Sequence, residues 1–259
     1  MATATVRTGH GFFIVGGPTV VFDFGGLRFL SEPTFDAPTD YGLLRKTEGP
    51  AAGPEALGPF DVALISHCDH KDNLDDAGRA AAAGARSVIT THQGAQSFGE
   101  KATGLAAGQS VSIGDVTVCA VPALHGPEDG AVDERGFVNC EVIGFVLTHR
   151  DATLYISGDN TSMDNVRGVA DRFGPVDHAI LHAGRASVPA KFDGRPLSMT
   201  GAQAAEAARI LGARQVVAVH QTQWAHFTEG PDQTRRAFDE AGLGAILDPA
   251  PVGEWGQWR

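Results

Sequence analysis

Histidine and aspartate side chains recur in this sequence where apolar runs give way to polar loops. The run "LISHCDHKDNLDD" supplies His67, His70 and Asp72 directly after its apolar start. Three later apolar runs end at the same residue types: His125 in "VPALH", Asp159 in "LYISGD" and His220 in "VVAVH". Loops that follow strands are where sheet proteins collect functional groups. One such histidine is ordinary, but these strand ends together predict a metal site.

The mixture of imidazole and carboxylate groups indicates which metal to expect. These donors suit Zn²⁺, with Mn²⁺ or Fe²⁺ as a second choice. One or two ions could be held by this number of donors. Cys68 lies inside the same run and is also a competent zinc ligand.

The elements that must position these residues follow from the hydrophobic pattern. "GFFIVGGPTVVFDFGGLRFLSEP" contains three short apolar runs separated by glycine turns, which predicts an antiparallel meander. A surface loop rich in Pro, Gly and charge is expected over residues 36–59. "FDVALISH" then predicts a strand, "LDDAGRAAAAGA" a helix, "SVITT" a strand and "HQGAQSFG" a short helix or turn.

The second half of the chain repeats this plan. "QSVSIGDVTVCAVPALHGPED" and "CEVIGFVLTHRDATLYISGDN" predict hairpins, and "VDHAILHAG", "QVVAVHQTQ" and "AILDP" predict strands. Helices are predicted in "SMDNVRGVADRFG", "DQTRRAFDEAG" and "SMTGAQAAEAARILGA", the last with Ser198 or Thr200 as its N-cap. We therefore expect one α/β (α+β) domain over residues 1–259, a four-layer αββα sandwich of two mixed β-sheets with outer helices.

Composition argues against several classes of function. The chain has 259 residues and a formal net charge of −11, which disfavours a general nucleic-acid or anionic-membrane binder. No window approaches the ~20 apolar residues of a membrane span, and the N-terminus lacks the pattern of a secretory signal. Three widely spaced cysteines suggest no disulfide framework. A cytoplasmic protein that acts on a small molecule is expected.

Over nearly its whole length the sequence resembles the metallo-β-lactamase-fold hydrolases, in the branch similar to the ascorbate phosphate lactonases. "GHGFFIVGGPTVVFDFGGLRFLSEPTF" is similar to the opening of that branch, and "LISHCDHKDNLD" occupies the place of its His-x-His-x-Asp-His signature. "VPALHGPED", "SGDN", "HAGRASVPAKFDGRPLSMTGAQAAEAARIL" and "VVAVHQTQWAHF" match the later segments in order. The ordered series is stronger evidence than the signature alone.

The resemblance implies an αββα metallohydrolase with a metal-activated water. It implies a first ion among His67, His70 and His125, a second ion at Asp72 and His220, and Asp159 as a bridge between them. The implied nucleophile is a water or hydroxide between the ions, with a pKa lowered toward ~7. Asp72 and Asp159 then have catalytic roles, and removal of Asp159 should do more harm than removal of any single histidine. The resemblance also favours a homo-oligomer.

The sequence departs from the family signature at two positions. Its first two histidines, His67 and His70, are three residues apart instead of two. Either a residue is inserted and both histidines bind, which we prefer, or Cys68 is the first ligand and His67 a neighbour. Asn73 replaces the third histidine of the signature and offers only a weak carbonyl oxygen, so the second ion would be loosely held or absent. A mononuclear site is therefore an alternative, and a full pair could also draw on Asp69.

Several further residues are candidates for supporting roles. His10, in "GHG", either points into the site or is a hydrogen-bonded turn histidine. His182 ends a predicted strand and could contact substrate, while His226 could line a pocket near its mouth. Arg185 and Lys191, in the loop after "HAG", are candidates for binding an anionic group.

The leading functional prediction is a metal-dependent hydrolase that uses metal-activated water on a small-molecule ester, lactone, amide or phosphoester. Two alternatives stay open, because a fold does not determine a function. The first is different metal chemistry on the same scaffold, either iron redox or nuclease-type cleavage. The second is a degenerate site in a non-enzymatic ligand-binding protein, which Asn73 and the irregular histidine spacing favour.

Overall fold

Two β-sheets pack face to face and helices cover their outer surfaces. The computed structural model describes residues 11–150 and 152–259, so His10 lies outside the described residues. Three separate apolar clusters fill the space between the sheets and the space under the helices on either side. The structure confirms the predicted αββα sandwich of two mixed sheets. Among the described residues, no helix has the length and apolar character needed to cross a bilayer.

The first half of the chain supplies most of the first sheet. Its strands are β1 (Gly11–Gly16), β2 (Thr19–Phe24), β3 (Leu27–Ser31), β4 (Thr39–Asp40), β5 (Arg45–Lys46), β6 (Val62–Leu64), β7 (Ser87–Thr90) and β8 (Ala102–Gly104). Its helices are α1 (Pro54–Leu57), α2 (Asp76–Ala83) and α3 (His92–Gln96), followed by a 3₁₀ turn at Gly99–Lys101.

The rest of the chain supplies the second sheet and, at its end, one further strand of the first sheet. Its strands are β9 (Ser110–Ile113), β10 (Val116–Pro122), β11 (Ile143–His149), β12 (Ala152–Ile156), β13 (His178–His182), β14 (Gln215–Val219) and β15 (Trp255–Gln257). Its helices are α4 (Met163–Phe173), α5 (Gly201–Leu211) and α6 (Pro231–Glu240), with a 3₁₀ turn at Phe192–Gly194. Thr200 is the N-cap of α5 and forms a capping box with Gln203, as its hydroxyl side chain predicts.

The strand order places the ends of several parallel strands side by side. The first sheet has the order β15-β1-β2-β3-β6-β7-β8 and the second β14-β13-β12-β11-β10-β9, while β4 and β5 form a separate hairpin. In the second sheet β12, β13 and β14 are parallel, with Ile156 opposite Ile180 and His182 opposite Val219. The loops that follow these strands therefore leave the sheet at the same edge.

Alternation of side chains along each strand builds the layers. In β2, Val20 and Phe22 lie in the cluster between the sheets, whereas Val21 lies in the cluster under the first sheet's helices. In β13, Ile180 faces between the sheets and Leu181 faces the helices α4 to α6. The central strands are buried on both faces, which explains why they read as nearly continuous apolar runs.

Two predictions about elements are wrong in part. The expected strand in "AILDP" is a single bridge between Leu247 and Val216, since the prolines that follow cannot donate to a ladder. The last strand is instead β15, which pairs with β1. The segment 36–59, expected to be a surface loop, contains a hairpin and a short helix and buries Lys46 completely.

Candidate metal centre

Three histidines meet at one end of the sandwich. His67 and His70 lie in the loop after β6, and His125 lies in the loop after β10. The Nδ1 atom of His70 lies 3.1 Å from Nε2 of His67 and 3.1 Å from Nε2 of His125. Ligand atoms around a tetrahedral zinc at ~2.0–2.1 Å are themselves roughly 3.3 Å apart. The spacing of these nitrogens therefore suits a shared ion.

A second group lies beside the first, at the ends of the parallel strands. Asp159 follows β12, His182 ends β13 and His220 follows β14. One ligand atom from each lies within 4.8 Å of those of the other two. All three side chains are fully buried. Strand order alone brings them together, because each stands at the same edge of the sheet.

Asp159 lies between the two groups. Its Oδ2 is 3.6 Å from Nε2 of His125, whereas its Oδ1 is 3.4 Å from Nε2 of His220. The two oxygens of one carboxylate thus face different histidine clusters. This arrangement suits a bridge between two cations.

Asp72 completes the second group from the side of the first sheet. Its Oδ2 lies 3.4 Å from Nε2 of His220 and 2.9 Å from Nε2 of His226. Because Asp72 comes from the loop after β6 and His220 from the second sheet, this pair spans the two halves of the chain. His226 lines the adjoining pocket.

The donor atoms of this region fit a metal by a further criterion. Oδ2 of Asp159 and the Nε2 atoms of His182 and His220 are buried and have no hydrogen-bond partner among the described residues. A buried polar atom without a partner costs about 1–3 kcal/mol. A cation site requires carboxylate and imidazole donors that lie close together and are free of hydrogen bonds. The residues present therefore fit the metal that the sequence implies.

Electrostatics keep these groups in their metal-binding protonation states. Burial lowers the pKa of His70 to about 3 and depresses the pKa values of His67, His125 and His220 as well. Burial alone would raise the pKa of Asp159, but the imidazoles of His220 and His125 favour the carboxylate more strongly and bring that pKa below its usual range. Neutral imidazoles and an ionised carboxylate are the forms that bind a cation.

The buried carboxyl group of Glu32 helps to hold the loop that carries His67. Glu32 accepts hydrogen bonds from the Ser66 amide at 2.7 Å and from Nδ2 of Asn73 at 3.1 Å. The Ser66 hydroxyl also lies 2.9 Å from Nδ1 of His67, which leaves Nε2 of that ring facing His70. Burial raises the pKa of Glu32 to about 8. Asn73 is thus held by Glu32 through its amide nitrogen.

Three residues named from the sequence lie away from the centre of the cluster. Sγ of Cys68 contacts the Thr90 hydroxyl at 3.6 Å, whereas Nε2 of its neighbour His67 lies beside Nδ1 of His70. Asp69 is exposed and lines the mouth of the adjoining pocket. Arg185 donates to the Thr228 hydroxyl at 3.0 Å.

Two further residues lie closer than the sequence suggested. Cys140, which is not among the candidate ligands named from the sequence, lies with His67, His70 and His125 in the first group. Burial raises its pKa. Nζ of Lys191 lies 3.2 Å from Nε2 of His70 and donates to Oδ1 of Asn139 at 2.6 Å. No local pattern marks Cys140 as a neighbour of these histidines, since it reaches the site from a separate loop.

A pocket opens onto the first group, at His70 and His125, and onto Asp72 beside the second. It has a volume of about 190 Å³ and its walls are mainly apolar. Its lining combines candidate metal ligands with residues of the surrounding loops, including the segment that carries Lys191. The lining residues are Tyr41, Leu43, Leu44, Asp69, His70, Lys71, Asp72, His125, Asn139, Ala186, Val188, Lys191, Leu197 and His226. The hairpin β4–β5 and its neighbours form one wall, so the segment 36–59 belongs to the site.

Comparison with known proteins agrees with the fold. The model of the beta-lactamase superfamily domain matches residues 28–221. The chain belongs to the beta-lactamase superfamily. The match spans β3 to the loop after β14 and includes every residue of the first and second groups. Membership in this superfamily of metal-dependent hydrolases confirms the predicted fold and enzyme class.

Individual relatives of this superfamily are distant. A metal-dependent hydrolase of Pyrococcus horikoshii is 27% identical over 204 residues, which cover 77% of this chain and 83% of the relative. An isothiocyanate hydrolase from Delia radicum gut bacteria superposes with a TM-score of 0.80 at 20% identity, over 95% of this chain and 98% of that one. A possible metal-dependent hydrolase from Veillonella parvula gives a TM-score of 0.81 at 14% identity, over 96% and 99%. These structures share the fold.

Proposed function

We propose that this protein is a zinc-dependent hydrolase of a small molecule, with two metal positions at the floor of the pocket. The first position is formed by His67, His70 and His125, the second by Asp72 and His220, and Asp159 lies between them. The observation that carries this proposal is the carboxylate of Asp159, whose two oxygens face the two histidine clusters at 3.6 and 3.4 Å. Mononuclear binding at the first position is the simpler variant of the same site.

When bound, zinc lowers the pKa of a coordinated water and polarises the bond to be cleaved. The residues of the chain provide the setting for that chemistry. Nε2 of His226 donates to Oδ2 of Asp72 at 2.9 Å, which holds the carboxylate facing His220. The carbonyl of Leu197 lies 2.7 Å from Nδ1 of His125 and leaves Nε2 of that ring facing His70. Contacts of this kind orient metal ligands.

The pocket favours a small and largely apolar substrate. Its volume of about 190 Å³ is below the ~300–1,000 Å³ usual for drug-sized ligands. Leu44, Val188 and Leu197 supply apolar walls next to the histidines. An ester, lactone, amide or phosphoester of small size fits this space, and so does an isothiocyanate.

Lys191 is the cation best placed to meet the substrate. Its ammonium is held beside His70 by Oδ1 of Asn139, at the edge of the pocket. A lysine in this position attracts an anionic group or the oxygen on which charge develops. It would therefore orient the substrate with its reacting bond toward the clusters.

The expected setting of this activity is the cytoplasm. The net charge of −11 makes a small molecule a better partner than a nucleic acid. The apolar pocket also favours a small molecule as the partner.

Metal analysis together with a substrate panel tests the proposal. We expect the purified full-length chain to contain zinc near stoichiometry and to cleave at least one member of a panel of small lactones, esters, amides, phosphodiesters and isothiocyanates. Asp159→Asn should lose metal and reduce kcat/KM by about a thousandfold or more. Asp171→Asn, which alters an exposed carboxylate on α4, is the matched control.

Three outcomes would contradict the proposal. A chain that stays free of metal after reconstitution would favour the ligand-binding alternative. Iron that survives purification and supports oxidation would favour redox chemistry. Full activity of Asp159→Asn would place the reaction elsewhere in the molecule.

A further inference from the structure

We propose that His182 is a ligand of the second metal ion and takes the place that Asn73 leaves vacant in the family signature. This inference rests on the proposed two-metal site. It adds an imidazole to Asp72, Asp159 and His220, and it makes the second position stronger than the signature of the sequence implies.

Asn73 is poorly suited to bind the ion. It is fully buried, and its amide nitrogen donates to Oε2 of Glu32 at 3.1 Å. The remaining donor, the amide oxygen, is neutral and weak for Zn²⁺ compared with imidazole. The amide oxygen of Asn73 is buried and has no hydrogen-bond partner among the described residues, but as a neutral donor it is a weak companion for Asp72, His220 and the bridging carboxylate.

His182 lies beside two proposed ligands of the second ion, Asp159 and His220. The strands β12, β13 and β14 are parallel neighbours, and each places one donor residue at the same edge: Asp159, His182 and His220. The ligand atoms of the three lie within 4.8 Å of one another. His182 is therefore built into the second position by the same strand geometry as its partners.

Hydrogen bonding accounts for only one of the two nitrogens of the His182 imidazole. Nδ1 lies 2.9 Å from Oδ1 of Asp159, while Nε2 is buried and has no partner among the described residues. The ring lies parallel to that of His220, with centroids 4.9 Å apart and an interplanar angle of 13°. A role limited to holding Asp159 would use one nitrogen and leave the cost of burying the other unexplained. A cation shared with His220 and Asp159 explains why two imidazoles and a carboxylate are buried together.

The local backbone favours this close approach of the two histidines. His220 has a positive φ of 64° and its amide donates to the carbonyl of Gly17 at 2.7 Å. Gly184, two residues after His182, leaves room for the carbonyl of His220, which a Cβ would overlap. The chain thus accepts an unfavourable conformation to bring His220 beside His182, as is common where strain serves a site.

Titration of the metal-depleted, full-length protein with Zn²⁺ tests the inference. We expect the native chain to take up two equivalents and His182→Asn to take up one with native affinity, while the second is weakened about 100-fold or more. Asparagine keeps an N–H donor for Asp159, so a role limited to that hydrogen bond would be preserved. His178→Asn, on the same strand but packed against Trp258, is the matched control and should bind two equivalents.

A rescue variant gives a second readout. Asn73→His restores the family ligand, so Asn73→His/His182→Asn should recover the second equivalent that His182→Asn loses. X-ray absorption on the zinc-loaded native chain should count one imidazole more than the set without His182. This measurement needs no variant and stands even where His182→Asn folds poorly.

The outcomes separate this inference from the proposed function. Two equivalents of native affinity in His182→Asn, or an absorption spectrum without the additional imidazole, would overturn the role of His182 and leave the hydrolase proposal intact. A native chain that binds a single equivalent of zinc would also overturn the role of His182 and leave the hydrolase proposal intact. A native chain that binds no metal would overturn both.

Discussion

At the scale of single residues, the charged side chains near the clusters differ in what they can reach. Lys191 borders the pocket and contacts His70 and Asn139, whereas Arg185 from the same loop is engaged with Thr228 and lies near Glu229. From the sequence alone, both residues are candidates for binding an anionic group. Their different contacts predict different effects on catalysis.

Replacement of Lys191 should therefore weaken substrate binding. We expect Lys191→Met to lower kcat/KM by about 10- to 100-fold, since a hydrogen bond to a charged group contributes ~1.5–3 kcal/mol. Steady-state kinetics on the best panel substrate would measure it. Arg185→Met is the matched control and should stay within about threefold of native. Equal losses in the two variants would contradict this role for Lys191.

At the scale of elements, the N-terminus of α2 ties the loop before the site to the signature run. The carboxylate of Asp75 caps this helix through the Gly78 amide at 2.7 Å and accepts from the amides of Phe35 and Asp36 at 2.8 Å. It also pairs with Nζ of Lys46 at 2.9 Å, and both side chains are fully buried. One carboxylate thus fixes the helix, the loop after β3 and the hairpin β4–β5.

Loss of that charge should destabilise the fold. We expect Asp75→Asn to lower the free energy of unfolding by about 3–5 kcal/mol, because it leaves the Lys46 ammonium buried without its partner. Urea denaturation would measure the change. Asp76→Asn removes an exposed carboxylate that pairs with Lys71 and should change stability by less than about 1 kcal/mol. Addition of Lys46→Met to Asp75→Asn should recover part of the loss, and a further loss would contradict this explanation.

The close approach of the loops after β13 and β14 makes a second prediction at this scale. A side chain at Gly184 would overlap the carbonyl of His220, so Gly184→Ala must separate the two loops. We expect a loss of about 1–3 kcal/mol together with weaker binding of the second metal. Gly168→Ala, at an exposed helical position with open space around it, should instead stabilise the protein by about 0.5–1 kcal/mol. Thermal unfolding and zinc titration of both variants would decide.

At the scale of the whole molecule, the metal centre joins the two halves of the sandwich. Asp72 comes from the loop after β6 in the first sheet, and His220 follows β14 in the second. Cations bound between them would bind the folded state only and stabilise it by mass action. We propose that residues 1–259 form one domain that unfolds in a single transition.

Removal of the metal should lower the thermal stability of this domain. Free zinc at 100 times its dissociation constant stabilises a folded chain by about 2.7 kcal/mol, which for a domain of this size is a Tm shift of about 5–11 °C. Differential scanning calorimetry with and without a chelator would measure it. Asp159→Asn should show little response to the chelator. Two separated transitions, or equal responses of both proteins, would contradict this account.

Much of the architecture was predictable because its signals are local. Apolar runs, glycine turns and the Thr200 cap indicate strands, hairpins and helices through their nearest neighbours. The polar composition of the segment 36–59 predicts a loop, whereas Lys46 is buried by its long-range pairing with Asp75.

By itself the sequence determined the types of donor and their positions at strand ends, since ligand chemistry and hydrophobic periodicity are written in short stretches of chain. It also carried the ordered series of motifs that marks the superfamily. Only the tertiary structure decided which side chains meet. His70 and Lys191 are 121 residues apart, and His182 reaches Asp159 through the pairing of β12 with β13. Contacts of this kind depend on strand order and loop path, which no short stretch of sequence specifies.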